Sequence, residues 1–111
     1  MPKQLTQQER LARDMLEKDL QKYIMDLARV LKWTVFHVND SRRQQVEGLP
    51  DLLLVRGSQC VWWELKRETK KYARMSLVQE DVIEQLRTAG QTVRVVKPSD
   101  YLEDRVAEWL R

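Results

Sequence analysis

The segment from Asp51 to Val96 constrains the fold most, because short apolar runs alternate there with turn and capping signals. Residues 51–55 and 59–66 are apolar runs of strand length, and Arg56-Gly57-Ser58 between them is a typical hairpin turn signal. A predicted helix and a last strand follow this hairpin. The hairpin requires an antiparallel pair of strands, and the helical crossover after it requires a parallel pair in the same sheet.

The other elements follow from hydrophobic periodicity and from residues that start or end helices. In chain order we predict one long helix over residues 6–31, strands over 33–38, 51–55 and 59–66, a helix over 76–89, a strand over 91–96 and a short helix from Pro98. Thr6 and Glu9 have the spacing of a capping box, and Ser76 can cap the second helix. The order α-β-β-β-α-β-α predicts an α/β fold with a mixed central sheet flanked by helices, in a single domain over residues 1–111.

Composition excludes several kinds of site. The 20 basic and 17 acidic residues give a formal net charge of only +3, so overall charge does not argue for nucleic acid. Cys60 is the single cysteine, which excludes an intrachain disulfide and a cysteine-rich zinc site, and the single histidine, His37, argues against a histidine-based metal site or a histidine nuclease. Cys60 is expected to be buried as a small apolar residue. Without a signal peptide or an apolar run of membrane-spanning length, we expect a cytoplasmic protein with no membrane partner.

Three ionisable residues of the hairpin form a candidate site. Glu64 and Lys66 lie two residues apart on one strand, so their side chains share a face. A hairpin tip at residues 57–58 places Asp51 roughly opposite Glu64. Two facing carboxylates repel each other unless a cation lies between them, and their oxygen atoms suit Mg²⁺. The carbonyl of Leu65 could add an oxygen ligand, and Lys66 would orient an attacking water or stabilise charge on a phosphate.

These residues also have simpler interpretations. Aspartate after proline is common in turns, and Glu64 beside Lys66 could form an ion pair on a solvated face of an edge strand. A carboxylate among the apolar neighbours of Glu64 is costly, however, unless it is paired or binds a cation. Trp62 would share the face of Glu64, whereas Trp63 and Leu65 would pack beneath the helices on the opposite face.

Basic residues are dense around this hairpin. Between Arg56 and Arg74 six basic residues stand against two acids, and a basic pair precedes the Pro-Asp dipeptide. The candidate members of a basic rim are Arg42, Arg43, Arg67, Lys70, Lys71 and Arg74. A charge run alone is typical of a solvated surface, but its position around a candidate metal site favours a rim that binds phosphate groups.

Two polar residues lie at the borders of apolar helical stripes. Glu17 is next to Leu16 and three residues before Leu20, and Gln79 is three residues before Val82. This spacing places both side chains beside the buried faces of their helices. Taken singly, a solvated carboxylate and a hydrogen-bonded amide are the simpler interpretations.

At these positions the chain resembles the virus-type replication-repair nuclease (VRR-NUC) domains of the PD-(D/E)XK nuclease superfamily. The resemblance covers most of the chain, from the middle of the first predicted helix to Asp100. It rests on Glu17-Lys18-Asp19-Leu20-Gln21, Gly48-Leu49-Pro50-Asp51, Glu64-Leu65-Lys66, Ser76-Leu77-Val78-Gln79 and Ala89-Gly90-Gln91-Thr92-Val93. The Pro-Asp and Glu-x-Lys motifs at hairpin spacing are the specific part of this pattern.

The resemblance implies a restriction-endonuclease-like core and a hydrolysis of DNA that depends on Mg²⁺ or Mn²⁺. It implies that Asp51 and Glu64 bind the metal and that Lys66 is catalytic. It also implies that Glu17 completes the site as a further metal ligand and that Gln79 reaches into it. Stand-alone members of the family look like homodimers that act on branched DNA such as four-way junctions or flaps.

The expectation from sequence is therefore a homodimeric, metal-dependent and structure-selective DNA endonuclease. Trp33, Trp62 and Trp109 are candidates for the dimer interface, unless they belong to the core. A restriction-type or nicking endonuclease of the same fold, a non-catalytic junction-binding protein and a small interaction module with surface ion pairs are the alternatives.

Overall fold

A computed structural model describes residues 4–38 and 47–111 and shows a four-stranded sheet with helices. The elements are α1 (Gln7–Asp14), α2 (Glu17–Val30), β1 (Thr34–His37), β2 (Leu52–Arg56), β3 (Gln59–Leu65), α3 (Leu77–Thr88), β4 (Thr92–Val96), α4 (Pro98–Leu102) and α5 (Arg105–Leu110). The strand order is β1-β2-β3-β4, with antiparallel β1–β2 and β2–β3 pairs and a parallel β3–β4 pair. The predicted hairpin, mixed sheet and helical crossover are confirmed.

The prediction of one helix over residues 6–31 is wrong. The side chain of Thr6 accepts a hydrogen bond from the backbone N–H of Glu9 at 3.0 Å, as the capping pattern indicates, but Met15 and Leu16 are extended. The break allows α1 to pack on α4, where the side-chain amide of Gln8 donates to the carbonyl of Leu102 at 2.6 Å. Glu17 therefore becomes the first residue of α2.

The hydrophobic core lies on one face of the sheet, against α2 and α5. Its buried members are Leu20, Ile24, Ala28, Trp33, Leu52, Leu54, Trp63, Leu65, Val96, Val106 and Leu110. Trp63 and Leu65 thus lie beneath the helices, as their strand alternation predicts. Burial of these apolar side chains is the main force that holds the helices on this face.

Trp33 belongs to this core, so its assignment as an interface candidate is wrong. Only 5% of the residue is exposed, and its indole N–H donates to the carbonyl of Leu110 at 2.8 Å. The guanidinium group of Arg56 lies 4.4 Å from the centre of the Trp33 ring and donates to the carbonyls of Leu31 and Arg111 at 3.0 and 2.9 Å. Trp33 and Arg56 together hold the end of α2 to the end of α5.

The other face of the sheet is only partly covered, because α3 packs mainly against β4. Cys60 is exposed there, so the expected burial of Cys60 is wrong: its position near the hairpin tip lies away from α3. Phe36 and Trp62 lie on this face in one row with Leu53, and Phe36 is 52% exposed. Trp62 is half-buried and its indole N–H donates to the side chain of Gln91 at 3.2 Å.

None of the helices within residues 4–38 and 47–111 has the length and apolar composition that crossing a membrane requires.

Candidate active site

The β2–β3 hairpin brings Asp51 and Glu64 together. Leu52 pairs with Trp63, so the next pair along the hairpin is Asp51 with Glu64, as the predicted turn requires. Asp51 precedes β2, and its Oδ2 atom accepts a hydrogen bond from the backbone N–H of Leu65 at 2.7 Å. The two carboxyl groups also lie within hydrogen-bonding reach of each other. Asp51 is therefore held against the end of β3.

Glu64 is the buried member of this pair. It is 1% exposed, and its Oε2 atom finds no hydrogen-bond partner among the residues that the structure describes. Burial, the hydrogen bond with Asp51 and the negative charge of Asp51 raise the pKa of Glu64 from 4.5 to about 9, although the charge of Lys66 opposes the shift. Without a cation, the acid pair therefore retains a proton at neutral pH.

The environment of Glu64 fits a hard divalent cation. A carboxylate with an orphaned oxygen, beside a second carboxyl group, has the donor chemistry that Mg²⁺ and Mn²⁺ prefer. A bound cation would satisfy Oε2 and remove the repulsion between the two acids. Leu65 takes part through its N–H, and the role of its carbonyl as a ligand stays a prediction.

Glu17 lies at the edge of this pair, at the start of α2. The pKa of Glu17 is raised, chiefly because its carboxyl group is partly buried, and the charges of Lys66 and Asp51 act on it in opposite directions. Its carboxylate also lies near the backbone N–H of Arg67. In the described part of the chain, no three Asp, Glu, His or Cys side chains are grouped closely enough to hold a metal ion. Glu17 is therefore near the acid pair without joining it.

Lys66 is held by α3, although its charge still acts on Glu64 and Glu17. It is 7% exposed, and its ammonium group donates to Oε1 of Gln79 at 3.1 Å and to the carbonyl of Arg74 at 3.4 Å. No salt bridge joins Lys66 to Asp51 or Glu64, all of which the structure describes. The interpretation of Glu64 and Lys66 as an ion pair on a solvated face is therefore wrong.

Gln79 has two functions in this arrangement. The side-chain Oε1 atom of Gln79 accepts a hydrogen bond from the backbone N–H of Ser76 at 3.0 Å. The backbone N–H of Gln79 donates to Oγ of Ser76 at 3.1 Å, and the two bonds form the capping box of α3. The same Oε1 atom accepts from Lys66. The start of α3 thus fixes the amide that holds the lysine, and Gln79 lies on the inner side of its helix as its spacing predicts.

The basic segment, residues 67–74, contains one arginine with defined contacts and three exposed cations. The guanidinium group of Arg67 donates to the carbonyl of Arg13 at 3.2 Å, at the end of α1, and lies 4.5 Å from the centre of the Tyr72 ring. Lys70, Lys71 and Arg74 are exposed. Arg42 and Arg43 lie outside the described residues.

Sequence reasoning missed three contributions to this region. The carbonyl group of Arg74, which accepts from Lys66, could not be predicted, because every residue has a backbone carbonyl and the sequence does not mark this one. Tyr72 could have been found, since the sequence shows an aromatic residue within a basic run. The contact of Gly48 with α3 could not have been found, since it joins segments that only tertiary packing brings together.

A cavity of about 930 Å³ lies beside the basic segment, between α1, residues 68–71 and α4. Lys70 and Lys71 line it together with Glu9 and Glu68, so its charges are mixed. Its lining does not include the acid pair or Lys66. The candidate active site is therefore a separate feature.

A mixed four-stranded sheet with helices on both sides defines an α/β fold, and its hairpin carries the acid pair and the lysine. Compared by sequence, the chain matches no protein-family profile and no curated protein. Compared by structure, it is similar to a solved structure described as "VRR_NUC domain", with a TM-score of 0.66 and 22% identity over 84% of this chain and 96% of that chain. The chain therefore has a VRR_NUC-like fold, as the resemblance in sequence implies.

Proposed function

We propose that the chain is a nuclease unit that uses Mg²⁺ or Mn²⁺ to hydrolyse phosphodiesters in branched DNA, such as four-way junctions or flaps. The observation that carries the proposal is the buried Glu64, which has an unpartnered oxygen and lies beside Asp51 and Lys66. The similarity to a VRR_NUC domain supports DNA as the substrate class. The expected place of action is the cytoplasm of a bacterial or phage-infected cell.

Each residue of the site has a separate role in this proposal. Asp51 and Glu64 would hold the metal, with Glu17 approaching as a further ligand, and the N–H of Leu65 keeps Asp51 in place. The metal, when bound, supplies charge stabilisation and a more acidic water. Lys66 brings a positive charge to the developing charge on the phosphate, or orients the water that attacks it.

The exposed cations next to the site would bind the DNA backbone. Lys70, Lys71 and Arg74 are exposed on the segment that follows Lys66, and Arg67 lies beside them. Arg42 and Arg43 are proposed for the same role from sequence. Such contacts release counterions, so DNA affinity should fall as salt concentration rises.

The proposal is tested first with Asp51→Ala. Purified wild type and variant are incubated with duplex, flap, splayed and four-way DNA, with and without Mg²⁺ or Mn²⁺. We expect metal-dependent cleavage of branched DNA by wild type and a loss of at least about 100-fold in the variant, because one of the two carboxylates that hold the metal most directly is gone. Asp26→Ala removes an exposed acid of α2 and serves as the matched control, with wild-type activity.

Other outcomes of this assay point elsewhere. If no substrate is cleaved with either metal, the proposed nuclease activity is contradicted. Junction binding without cleavage would favour the non-catalytic alternative. Cleavage that survives Asp51→Ala would exclude this site. Cleavage of linear duplex at one sequence would favour the restriction-type alternative.

We also propose that the chain acts as a homodimer, which would present two sites to one branched substrate. Supporting this, Phe36 and Trp62 lie in an apolar row with Leu53 on the sheet face that α3 leaves partly open. Trp109 is a weaker candidate, because the guanidinium group of Arg94 lies 3.9 Å from the centre of its ring.

Sedimentation velocity tests the dimer and its face. Wild type is expected to sediment with about twice the 13.3 kDa mass of one chain, and Phe36→Glu is expected to sediment as a monomer. Val30→Glu changes a residue of α2 that is 71% exposed and outside this row, so it should leave the dimer intact. A monomeric wild type would contradict the dimer, and a dimeric Phe36→Glu would contradict the face.

A further inference from the structure

Gly48 makes an unusually close approach to α3. A Cβ atom at this position would lie 2.9 Å from Cγ1 of Val78, 2.9 Å from the carbonyl oxygen of Val78 and 3.1 Å from its carbonyl carbon. Two of these three atoms belong to the backbone, so a rotation of the Val78 side chain could not relieve the contact. The φ angle of Gly48 is +93°, a conformation that side chains other than glycine rarely adopt.

This contact joins the segment that carries Asp51 to the helix that holds Lys66. Gly48 lies three residues before Asp51, and Pro50 between them is fully buried. On the other side, Val78 directly precedes Gln79, whose Oε1 atom holds the ammonium group of Lys66. The segment that carries one acid therefore rests on the helical turn that holds the lysine.

We propose that Gly48 is a positioning residue for Lys66, because its lack of a side chain sets the distance between Asp51 and the first turn of α3. The inference rests on the proposed nuclease function and assigns a residue to that same site. Gly48 acts through Val78 and Gln79, and touches neither metal nor DNA in this role.

The physical effect of a side chain at this position follows from where α3 is anchored. Ile83 is 3% exposed and holds the middle of α3 against the sheet, so an added methyl group would displace the first turn rather than the whole helix. Gln79 would move with that turn, and its hydrogen bond with Lys66 would lengthen or break. A misplacement of about 1 Å in an active site can reduce the rate about 100-fold.

The test compares Gly48→Ala with Gly90→Ala. Gly90 follows α3 and has a φ angle of +88°, and a Cβ atom at this position would meet nothing within 4 Å. Its replacement therefore introduces similar backbone strain without the contact, so Gly90→Ala reports the effect of strain alone, and Gly48→Ala is expected to lose more thermal stability than Gly90→Ala. Only Gly48→Ala is expected to lower kcat, by about 10- to 100-fold, with KM and DNA affinity unchanged.

A second measurement does not depend on cleavage. The rate at which an amine-reactive reagent labels Lys66 is followed by mass spectrometry, with the exposed Lys22 as the internal reference. Because Lys66 is 7% exposed, labelling in wild type should be slow, and Gly48→Ala should accelerate it several-fold while Gly90→Ala does not. The Gly48→Ala/Val78→Ala double variant removes the contact with Cγ1. Compared with Gly48→Ala, this variant should have a higher kcat and slower labelling of Lys66.

The outcomes separate this inference from the proposed function. If wild type cleaves no DNA, the function fails, and the labelling rates still decide whether Gly48 positions Lys66. If wild type cleaves DNA but Gly48→Ala and Gly90→Ala show equal kcat and equal labelling of Lys66, the inference alone is overturned. Should Gly48→Ala not fold, the double variant is compared with Gly90→Ala. The contacts with the backbone of Val78 remain in the double variant, so it is expected to show lower kcat and faster labelling of Lys66 than Gly90→Ala, and equal values in the two variants would contradict the proposal.

Discussion

Replacing Lys66 with methionine is expected to lower kcat for metal-dependent DNA cleavage by about 10²- to 10⁴-fold, as for loss of a group that transfers protons or stabilises charge. Methionine keeps the length and the apolar stem of lysine but removes the ammonium group that Gln79 and the Arg74 carbonyl hold. Lys66 forms no ion pair with Asp51 or Glu64 in the described structure, so its loss leaves no salt bridge broken. The variant should therefore fold normally.

Single-turnover cleavage and DNA affinity are measured separately for this variant. Affinity, followed by fluorescence anisotropy in Ca²⁺, should stay within a few-fold of wild type, because Lys66 is nearly buried and the exposed cations beside it are unchanged. Lys22→Met removes an exposed lysine of α2 and is the matched control. A wild-type cleavage rate would exclude a catalytic role for Lys66, and an equal loss of affinity and rate would make it a DNA-binding residue.

Replacing Glu64 with glutamine is expected to abolish cleavage and, in the absence of metal, to stabilise the protein. The pKa of Glu64 is about 9 in the folded chain, against 4.5 for the ordinary side chain. Between these values the unfolded chain releases the proton while the folded chain retains it, so the free energy of unfolding falls as pH rises from about 4.5 to about 9. The contribution of the proton is complete below about pH 4.5 and lost above about pH 9.

Glutamine is neutral at every pH, has the shape of the protonated acid and can donate a hydrogen bond to Asp51. The free energy of unfolding of Glu64→Gln should therefore lack this pH dependence and exceed that of metal-free wild type by about 1–3 kcal/mol at pH 8, an order-of-magnitude value for a buried group that must be desolvated. Added Mg²⁺ should stabilise wild type by mass action and have little effect on the variant.

Urea denaturation between pH 5 and pH 9, with EDTA or with Mg²⁺, measures these effects. Glu84→Gln removes an exposed acid of α3 and should keep the wild-type pH dependence. If Glu64→Gln is less stable than metal-free wild type at pH 8, the carboxyl group is not strained in the folded chain. If the variant gains as much stability from Mg²⁺ as wild type does, Glu64 is not a metal ligand.

The parts of the fold and site that follow from sequence depend on local patterns. The turn at Gly57 and the alternation of side chains predict that Asp51 faces Glu64, and the register of β2 and β3 confirms this. Ser76 and the inward spacing of Gln79 predict the start of α3 and the side on which the amide lies. These signals are local because a hairpin tip and a capping box each involve only a few neighbouring residues.

Other features escaped prediction because they depend on which distant segments meet. The periodicity of residues 6–31 suits one helix, but packing of α1 on α4 favours a break at Met15. Strand alternation assigns Cys60 to a face without indicating that α3 leaves that part of the face exposed. A Glu-x-Lys pattern suggests an ion pair, whereas the ammonium group of Lys66 donates its hydrogen bond to the side chain of Gln79.

By itself, the sequence determined the hairpin, the crossover to β4 and the pairing of Asp51 with Glu64, because backbone alternation and turn chemistry act over a few residues. Only the tertiary structure decided that Glu64 is buried with an unpartnered oxygen and that Lys66 is held by α3. It also decided that Gly48 rests on Val78. These features depend on contacts between segments far apart in sequence, which no local pattern specifies.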